Sequence, residues 1–201
     1  MAPKTLVGQF VSFIKRKTSQ KYRFNLQYES SRWDGLKTLA ELGRYSLIVG
    51  YVRYFSTNGH ILDLGCGEGI LQEKFSATDY THYTGVDFSD VAIANANKKG
   101  HVNTEYIVGD LNNLTVTGMY DVIIYNESIN YLSHPKEAIK RLYHHLNPGG
   151  VFIISLVDKH GKEQTGLWED INSVLVLQER SKVTNLEGNS WTVQVYKIKT
   201  D

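Results

Sequence analysis

The stretch His60-Ile61-Leu62-Asp63-Leu64-Gly65-Cys66-Gly67-Glu68-Gly69-Ile70-Leu71 decides how the rest of the chain is read. It predicts a short apolar strand, a glycine-rich turn, and then a helix over Glu68–Phe75 whose apolar side begins at Ile70 and Leu71. Glycines at 65, 67 and 69 let the chain turn sharply and let a ligand lie against bare peptide. A helix start there would offer unpaired N–H groups to an anion. The spacing separates two kinds of nucleotide site. A dinucleotide turn runs G-x-G-x-x-G, but residue 70 is isoleucine, so this chain has G-x-G-x-G.

Two acids frame that turn. Asp63 ends the strand two residues before Gly65, and because an ionised carboxylate is costly to bury alone, it is expected to face donors. Tyr83–Asp87 (Y-T-G-V-D) reads as the second strand. Asp87 lies 87 − 67 = 20 residues past the second glycine, the distance at which a second-strand acid meets ribose hydroxyls. Ser89 then caps a helix through Ala92, Ile93, Ala94 and Ala96 that Gly100 ends.

The string D-x-G-C-G-x-G resembles motif I of the class I S-adenosylmethionine-dependent methyltransferases. The resemblance implies that Asp63, Gly65, Cys66 and Gly67 surround the cofactor, with Asp63 at its methionine end, and that G-V-D-F-S brings Asp87 and Phe88 to the ribose. It also implies that Asp110, after a third strand Thr104–Val108, accepts from the adenine amine while Leu111 flanks the ring. The alternative for Asp110 is a turn residue that bonds its own backbone. A fourth strand, Tyr120–Tyr125, leads into N-E-S-I-N-Y-L at 126–132, which resembles the N-E-x-x-x-Y-L stretch of small-molecule N-methyltransferases acting on chitooligosaccharide (nodulation-factor) and amino-sugar acceptors. No Pro-Pro-aromatic motif follows it, which argues against methylation of DNA bases. By that resemblance Asn126 belongs to the cofactor site, and Glu127 and His134 become the candidates for acid–base work on the acceptor. For Glu127 a structural role binding backbone amides is the competing reading.

Pro135 opens a further helix through Ala138, Ile139, Leu142 and Leu146. L-N-P-G-G turns into a fifth strand, Val151–Val157, followed by a helix over Leu167–Leu177. Gln178–Leu186 and Trp191–Lys199 flank Glu187-Gly188-Asn189-Ser190 as an antiparallel hairpin. The expected fold is thus α/β and doubly wound: a mainly parallel seven-stranded sheet, a C-terminal antiparallel hairpin and an N-terminal helical cap. Residues 1–56 are the extension and cap, and 57–201 the cofactor-binding domain.

The cap reading rests on crowded aromatics, Tyr22, Phe24, Tyr28, Trp33, Tyr45, Tyr51, Tyr54 and Phe55, with one or two amphipathic helices over Leu36–Val52. Tyr28 and Trp33, with Tyr131 from the fourth-strand loop, are expected to touch the acceptor. Arg44 is a candidate for the cofactor carboxylate, since guanidinium and carboxylate pair as forks; a surface ion pair is its alternative. Leu6–Arg23 combines Leu6, Phe10, Phe13 and Ile14 with Lys15, Arg16, Lys17, Lys21 and Arg23, an extension with one charged side.

Composition excludes several classes. Twenty-two Lys and Arg against 21 Asp and Glu leave a net charge of +1, so no basic excess points to DNA. Cys66 is the single cysteine, which rules out an internal disulfide and suits a spacer better than a nucleophile. No run approaches the about 18 apolar residues of a spanning helix. A cytoplasmic enzyme is expected, with no membrane partner and no metal ligands. The sequence leaves a homodimer open. The function these features favour is transfer of the methyl group of S-adenosylmethionine to a nitrogen or oxygen of a small metabolite, yielding S-adenosylhomocysteine. Methylation of RNA or protein, and a cofactor-binding protein without transfer activity, are the alternatives; a nicotinamide dehydrogenase is more distant.

Overall fold

The structure is a computed structural model that describes residues 20–158 and 160–199. The apolar and basic positions between 6 and 17 lie outside the described residues. The chain runs through a helix over residues 20–29 (α1), α2 (Leu39–Phe55), β1 (Gly59–Leu64), β2 (Tyr80–Asp87), α3 (Asp90–Asn97), β3 (Thr104–Val108) and β4 (Tyr120–Asn126). It continues through α4 (Pro135–Arg141), β5 (Leu146–Val157), α5 (Thr165–Val174), β6 (Leu175–Thr184) and β7 (Ser190–Ile198).

The seven strands form one sheet in the order β3-β2-β1-β4-β5-β7-β6. The first five are parallel, and β7 enters antiparallel between β5 and β6. Strand order reverses between β1 and β4, so their carboxyl ends diverge into a crevice, the place where open α/β sheets bind ligands.

Both faces of the central strands are apolar, as a sheet covered on both sides requires. Leu62, Leu64, Ile123, Tyr125, Phe152 and Ile154 point one way and pack with Ile139, Trp168 and Ile171 of α4 and α5. Ile61, Val122, Ile124, Val151 and Ile153 point the other way, against Tyr45, Ile48, Val49 and Val52 of α2. That spacing of three and four gives α2 its buried stripe. The stripe includes Arg44, whereas Leu39 and Leu42, which the sequence places on the apolar side, face outward. The last strands also begin earlier than the sequence suggests: Leu175–Leu177 opens β6 instead of closing α5.

The first crossover departs most from the sequence reading. In place of an α-helix over Glu68–Phe75, the structure has turns and a three-residue 3-10 helix, Gln72–Lys74. Gly69 at φ +73° keeps a right-handed helix from starting before residue 70, and a turn closed by Asp79 onto the Ser76 N–H begins six residues later. Rings of Phe75, Tyr80, Tyr83 and Tyr106, in contact at 5.7 to 6.4 Å, fill space on that face.

Candidate active site

The floor is the glycine turn. Gly65 and Cys66 both donate to the Val86 carbonyl, at 2.7 and 3.0 Å, and Gly69 donates to the Cys66 carbonyl at 3.0 Å. Gly65 (φ +86°) and Gly67 (φ +55°) lie in the left-handed region. A Cβ on Gly65 would stand 2.3 Å from the Ser128 Cβ, and Ser128 is itself tied to the Leu64 carbonyl. Gly65→Ala therefore combines a left-handed backbone cost of about 1–3 kcal/mol with a collision against a buried turn. The expected result is a lower melting temperature and loss of ligand binding at this turn. An unchanged melting curve would remove the argument.

Asp87 clamps that turn to the end of β2. Its Oδ2 accepts from Gly67 N–H at 2.9 Å and its Oδ1 from Ser89 N–H at 2.8 Å. Burial pushes its carboxyl above the ordinary range, and the N–H groups of Ser89 and Gly67 pull back. Ser89 caps α3 by accepting from Ala92 N–H. Asp110 stands after β3, where its Oδ1 accepts from both the N–H and the side-chain amide of Asn112 at 3.0 Å. Both acids line a cavity of about 530 Å³, together with Phe88 and Leu111.

Asp63 is not with them. Its side chain lies on the α2 face of β1 behind the turn, 1% exposed, and it does not line the cavity. The Tyr83 hydroxyl donates to its Oδ2 at 2.5 Å, while Oδ1 is buried with no partner. Burial raises its carboxyl to about 7, against the pull of Tyr83 and with help from Asp87. Of the three acids expected to converge on one ligand, the structure brings Asp87 and Asp110 together and leaves Asp63 beneath. Cys66 lines the cavity, with burial pushing its thiol far up, which is the wrong direction for a nucleophile.

The opposite wall begins at the end of β4. Asn126 Oδ1 accepts from Arg44 Nη1 at 2.8 Å, and Arg44 Nη2 donates to Glu41 at 2.6 Å and to the Tyr45 hydroxyl at 3.1 Å. Arg44 is 2% exposed, which excludes the surface ion pair. Its guanidinium lies 4.4 Å from the Tyr45 ring centre and 5.8 Å from that of Trp191, and its Nε has no partner. Glu127 adopts φ +58°, held by its N–H on the Ser155 carbonyl. Its carboxylate accepts from the Ser155 hydroxyl and the Val157 N–H, each at 2.9 Å. Both oxygens thus already have partners on β5, the structural role that competed with proton transfer. Burial raises this carboxyl while Arg44 draws it down.

His134 falls outside the site. It is exposed at the start of α4 and does not line the cavity, because the 3-10 turn Ile129–Tyr131 redirects the chain before it. Tyr131 does line it, and closes an aromatic roof. Phe24 stacks on Trp33 at 6.3 Å and meets Tyr131 edge-on at 5.7 Å, and Tyr28 lies 5.9 Å from Trp33. The Tyr28 hydroxyl, pushed up chiefly by burial and then by Asp87, approaches Gly67 where only glycine leaves room. Polar contacts pin α1 over the crevice: Asn25 accepts from the Ser89 hydroxyl at 2.7 Å and donates to Asp90 at 2.6 Å, and Lys21 pairs with Asp90 at 3.1 Å.

Glu41, Ser128, Asn130 and Trp191 also line the cavity and were not selected from the sequence. Trp191 carried a usable signal. A hairpin strand returning beside β5 must place its first residue at the carboxyl end of β5, and Trp191 indeed pairs with Val157.

The residues fit an adenosyl amino acid: two acids at adjacent strand ends, a turn that a Cβ would fill, and a buried guanidinium with an unused N–H. Known proteins agree at the level of the fold. A malonyl-[acyl-carrier protein] O-methyltransferase of Bacillus anthracis is 33% identical over 143 residues, covering 69% of this chain and 52% of that protein. A ubiquinone biosynthesis O-methyltransferase of Rickettsia canadensis is 30% identical over 105 residues, 51% of this chain and 44% of the other. The chain thus spans about half the length, or less, of these curated relatives.

Among solved structures, the N-methyltransferase NodS of Bradyrhizobium japonicum, in complex with S-adenosyl-L-homocysteine, superposes with a TM-score of 0.74 at 17% identity. That match covers 88% of this chain and 98% of NodS. The 1,6-didemethyltoxoflavin-N1-methyltransferase of Burkholderia thailandensis, with 1,6-didemethyltoxoflavin and S-adenosylhomocysteine bound, gives 0.73 at 17% identity over 100% of this chain and 93% of that one. A methyltransferase-domain family model matches residues 39–190, from the first turn of α2 to the start of β7. By that match, which takes in well over half of its length, this chain belongs to the methyltransferase-domain family.

Proposed function

We propose that this chain transfers the methyl group of S-adenosylmethionine to a nitrogen or oxygen of a small acceptor. The observation that carries the reading is the placement of Asp87 and Asp110 at the ends of adjacent strands, on one cavity, beside the glycine turn. Asp87, each of whose oxygens already accepts one backbone N–H, would accept from the ribose hydroxyls with its remaining lone pairs, and Asp110 would accept from the adenine amine on the wall it shares with Phe88 and Leu111. Arg44, already braced by Glu41, Tyr45 and Asn126, keeps its Nε–H for the amino-acid carboxylate. Gly65 and Cys66 form the wall between them.

When bound, the cofactor supplies an electrophilic methyl on a sulfonium, with a neutral thioether as leaving group. The protein's task is alignment. Tyr28, Trp33 and Tyr131 hold the acceptor and exclude water, and fixing its lone pair in line can supply several kcal/mol, up to about 7–11 in ideal cases. Glu127, fixed on β5, sets the electrostatics at the acceptor end.

Calorimetric titration with S-adenosylhomocysteine, followed by transfer of labelled methyl groups into a metabolite extract, tests the reading. Absence of both signals would overturn it. His134→Ala is expected to leave cofactor affinity and turnover within about twofold, since an exposed residue off the site costs little when truncated; a large loss of turnover would restore His134 to the mechanism. A second reading is supported by the Bacillus anthracis relative: O-methylation of a carboxylate on a carrier-linked acyl chain.

A further inference from the structure

We infer that the acceptor is an amine, neutral when it reacts and cationic once methylated, and that acceptors bearing a carboxylate are refused. The inference rests on the methyl-transfer reading above and decides between its two versions.

The charges around the cavity carry the first part. Five carboxylates line it, Glu41, Glu68, Asp87, Asp110 and Glu127, and among the described lining residues Arg44 is the sole Lys or Arg. Arg44 is already committed to Glu41 and Asn126. The nearest lysine contact, Lys37 on Glu68 at 3.0 Å, neutralises an acid and leaves nothing over. A second carboxylate would come to rest against Glu127 and Glu41 in a partly dry site without a cation of its own. Like charges so placed drive one group to take up a proton or leave.

The roof carries the second part. Phe24, Tyr28, Trp33 and Tyr131 touch one another in a continuous set of rings on the acceptor side, and ring faces attract ammonium groups. Glu127 lines the same cavity as Tyr131 and Tyr45; burial is the main cause that raises both hydroxyls, and the Glu127 charge adds to it. Rings and a fixed carboxylate together favour a cation.

The chemistry matches this arrangement. The amine lone pair forms the new C–N bond as the S–CH₃ bond breaks and its electron pair stays on sulfur. The nitrogen retains its proton, so the immediate product is an N-methylammonium. An acceptor that arrives as an ammonium gives its proton to solvent before the displacement, so no base acts on it during the transfer itself, which agrees with a Glu127 whose two oxygens are occupied by Ser155 and Val157. Glu127 acts through its charge.

The test uses the full chain saturated with S-adenosylhomocysteine and two probes of matched size, phenethylamine and 3-phenylpropionate, titrated calorimetrically at neutral pH. The amine is expected to bind about tenfold tighter, the preference falling to about threefold or less in Glu127→Gln and in Tyr131→Ala. Tyr131 is half exposed, so its truncation spares the fold if the Glu127 variant does not fold. Equal or tighter binding of the carboxylate, or binding of neither probe to a chain that does bind S-adenosylhomocysteine, would overturn the inference. So would a labelled methyl ester formed on malonyl-coenzyme A. Failure to bind S-adenosylhomocysteine at all would instead overturn the methyl-transfer reading, and this inference with it.

Discussion

Asp87→Ala is expected to weaken S-adenosylhomocysteine binding by about 1–3 kcal/mol, the cost of leaving buried hydrogen-bonding groups without a partner. That corresponds to a dissociation constant roughly 5- to 150-fold higher. Two losses add. The ligand's hydroxyls lose their acceptor, and the Gly67 and Ser89 amides lose the carboxylate that holds the turn against β2. The second loss is structural, so the melting temperature of the free chain is expected to fall as well. Calorimetric titration separates the two: an affinity equal to that of the parent chain would mean that Asp87 braces the turn and binds nothing.

Asp63→Asn is expected to reshape stability against pH. The folded carboxyl takes up its proton near 7, well above its ordinary 3.8. A group whose folded value is raised contributes stability that is full below the ordinary value and is lost as pH rises through the folded one. The parent chain should therefore lose stability between about pH 4 and pH 7, by on the order of a few kcal/mol, because above that window it buries an ionised carboxylate with one oxygen unpartnered. Asparagine can still accept from Tyr83 and has no charge to bury. Urea midpoints of the two chains should diverge toward alkaline pH, with the variant the more stable. Parallel curves across the window would show that Asp63 is ionised in the fold throughout.

The central strands were legible because parallel strands covered on both faces are written as nearly unbroken apolar runs, as in β4 and β5, and the acids were legible because each closes a short β-branched segment. Asp87 after T-G-V and Asp110 after Y-I-V-G needed nothing more. How deep a side chain near a strand end lies is harder to read. Asp63 pairs in register with Gly85, two residues before Asp87, so it shares a face with Asp87 but sits lower, under the turn and against Tyr83. Ile70, Leu71 and Phe75 have the look of a helix, but Gly69 and the Ser76–Asp79 turn leave too few residues between them for one to pay its nucleation cost. His134 qualifies from the sequence as an imidazole that could serve the acceptor, but the 3-10 turn Ile129–Tyr131 carries the chain away from the cavity before it. Glu41 and Trp191 come from the cap and the last strand, more than a hundred residues apart in sequence, and only the folded sheet brings them to the same guanidinium.

The way the glycine turn spends its amides has a consequence for selectivity. Gly65, Cys66, Gly67 and Gly69 all donate inward, to Val86, Asp87 and Cys66, and the short 3-10 segment beyond them stacks too few peptide dipoles to present a positive end. A diphosphate bridge laid along this loop would meet satisfied donors and the carboxylate of Asp87. Pyridine dinucleotides are thus expected to bind poorly at the loop that leaves room for a nucleoside joined to an amino acid through sulfur.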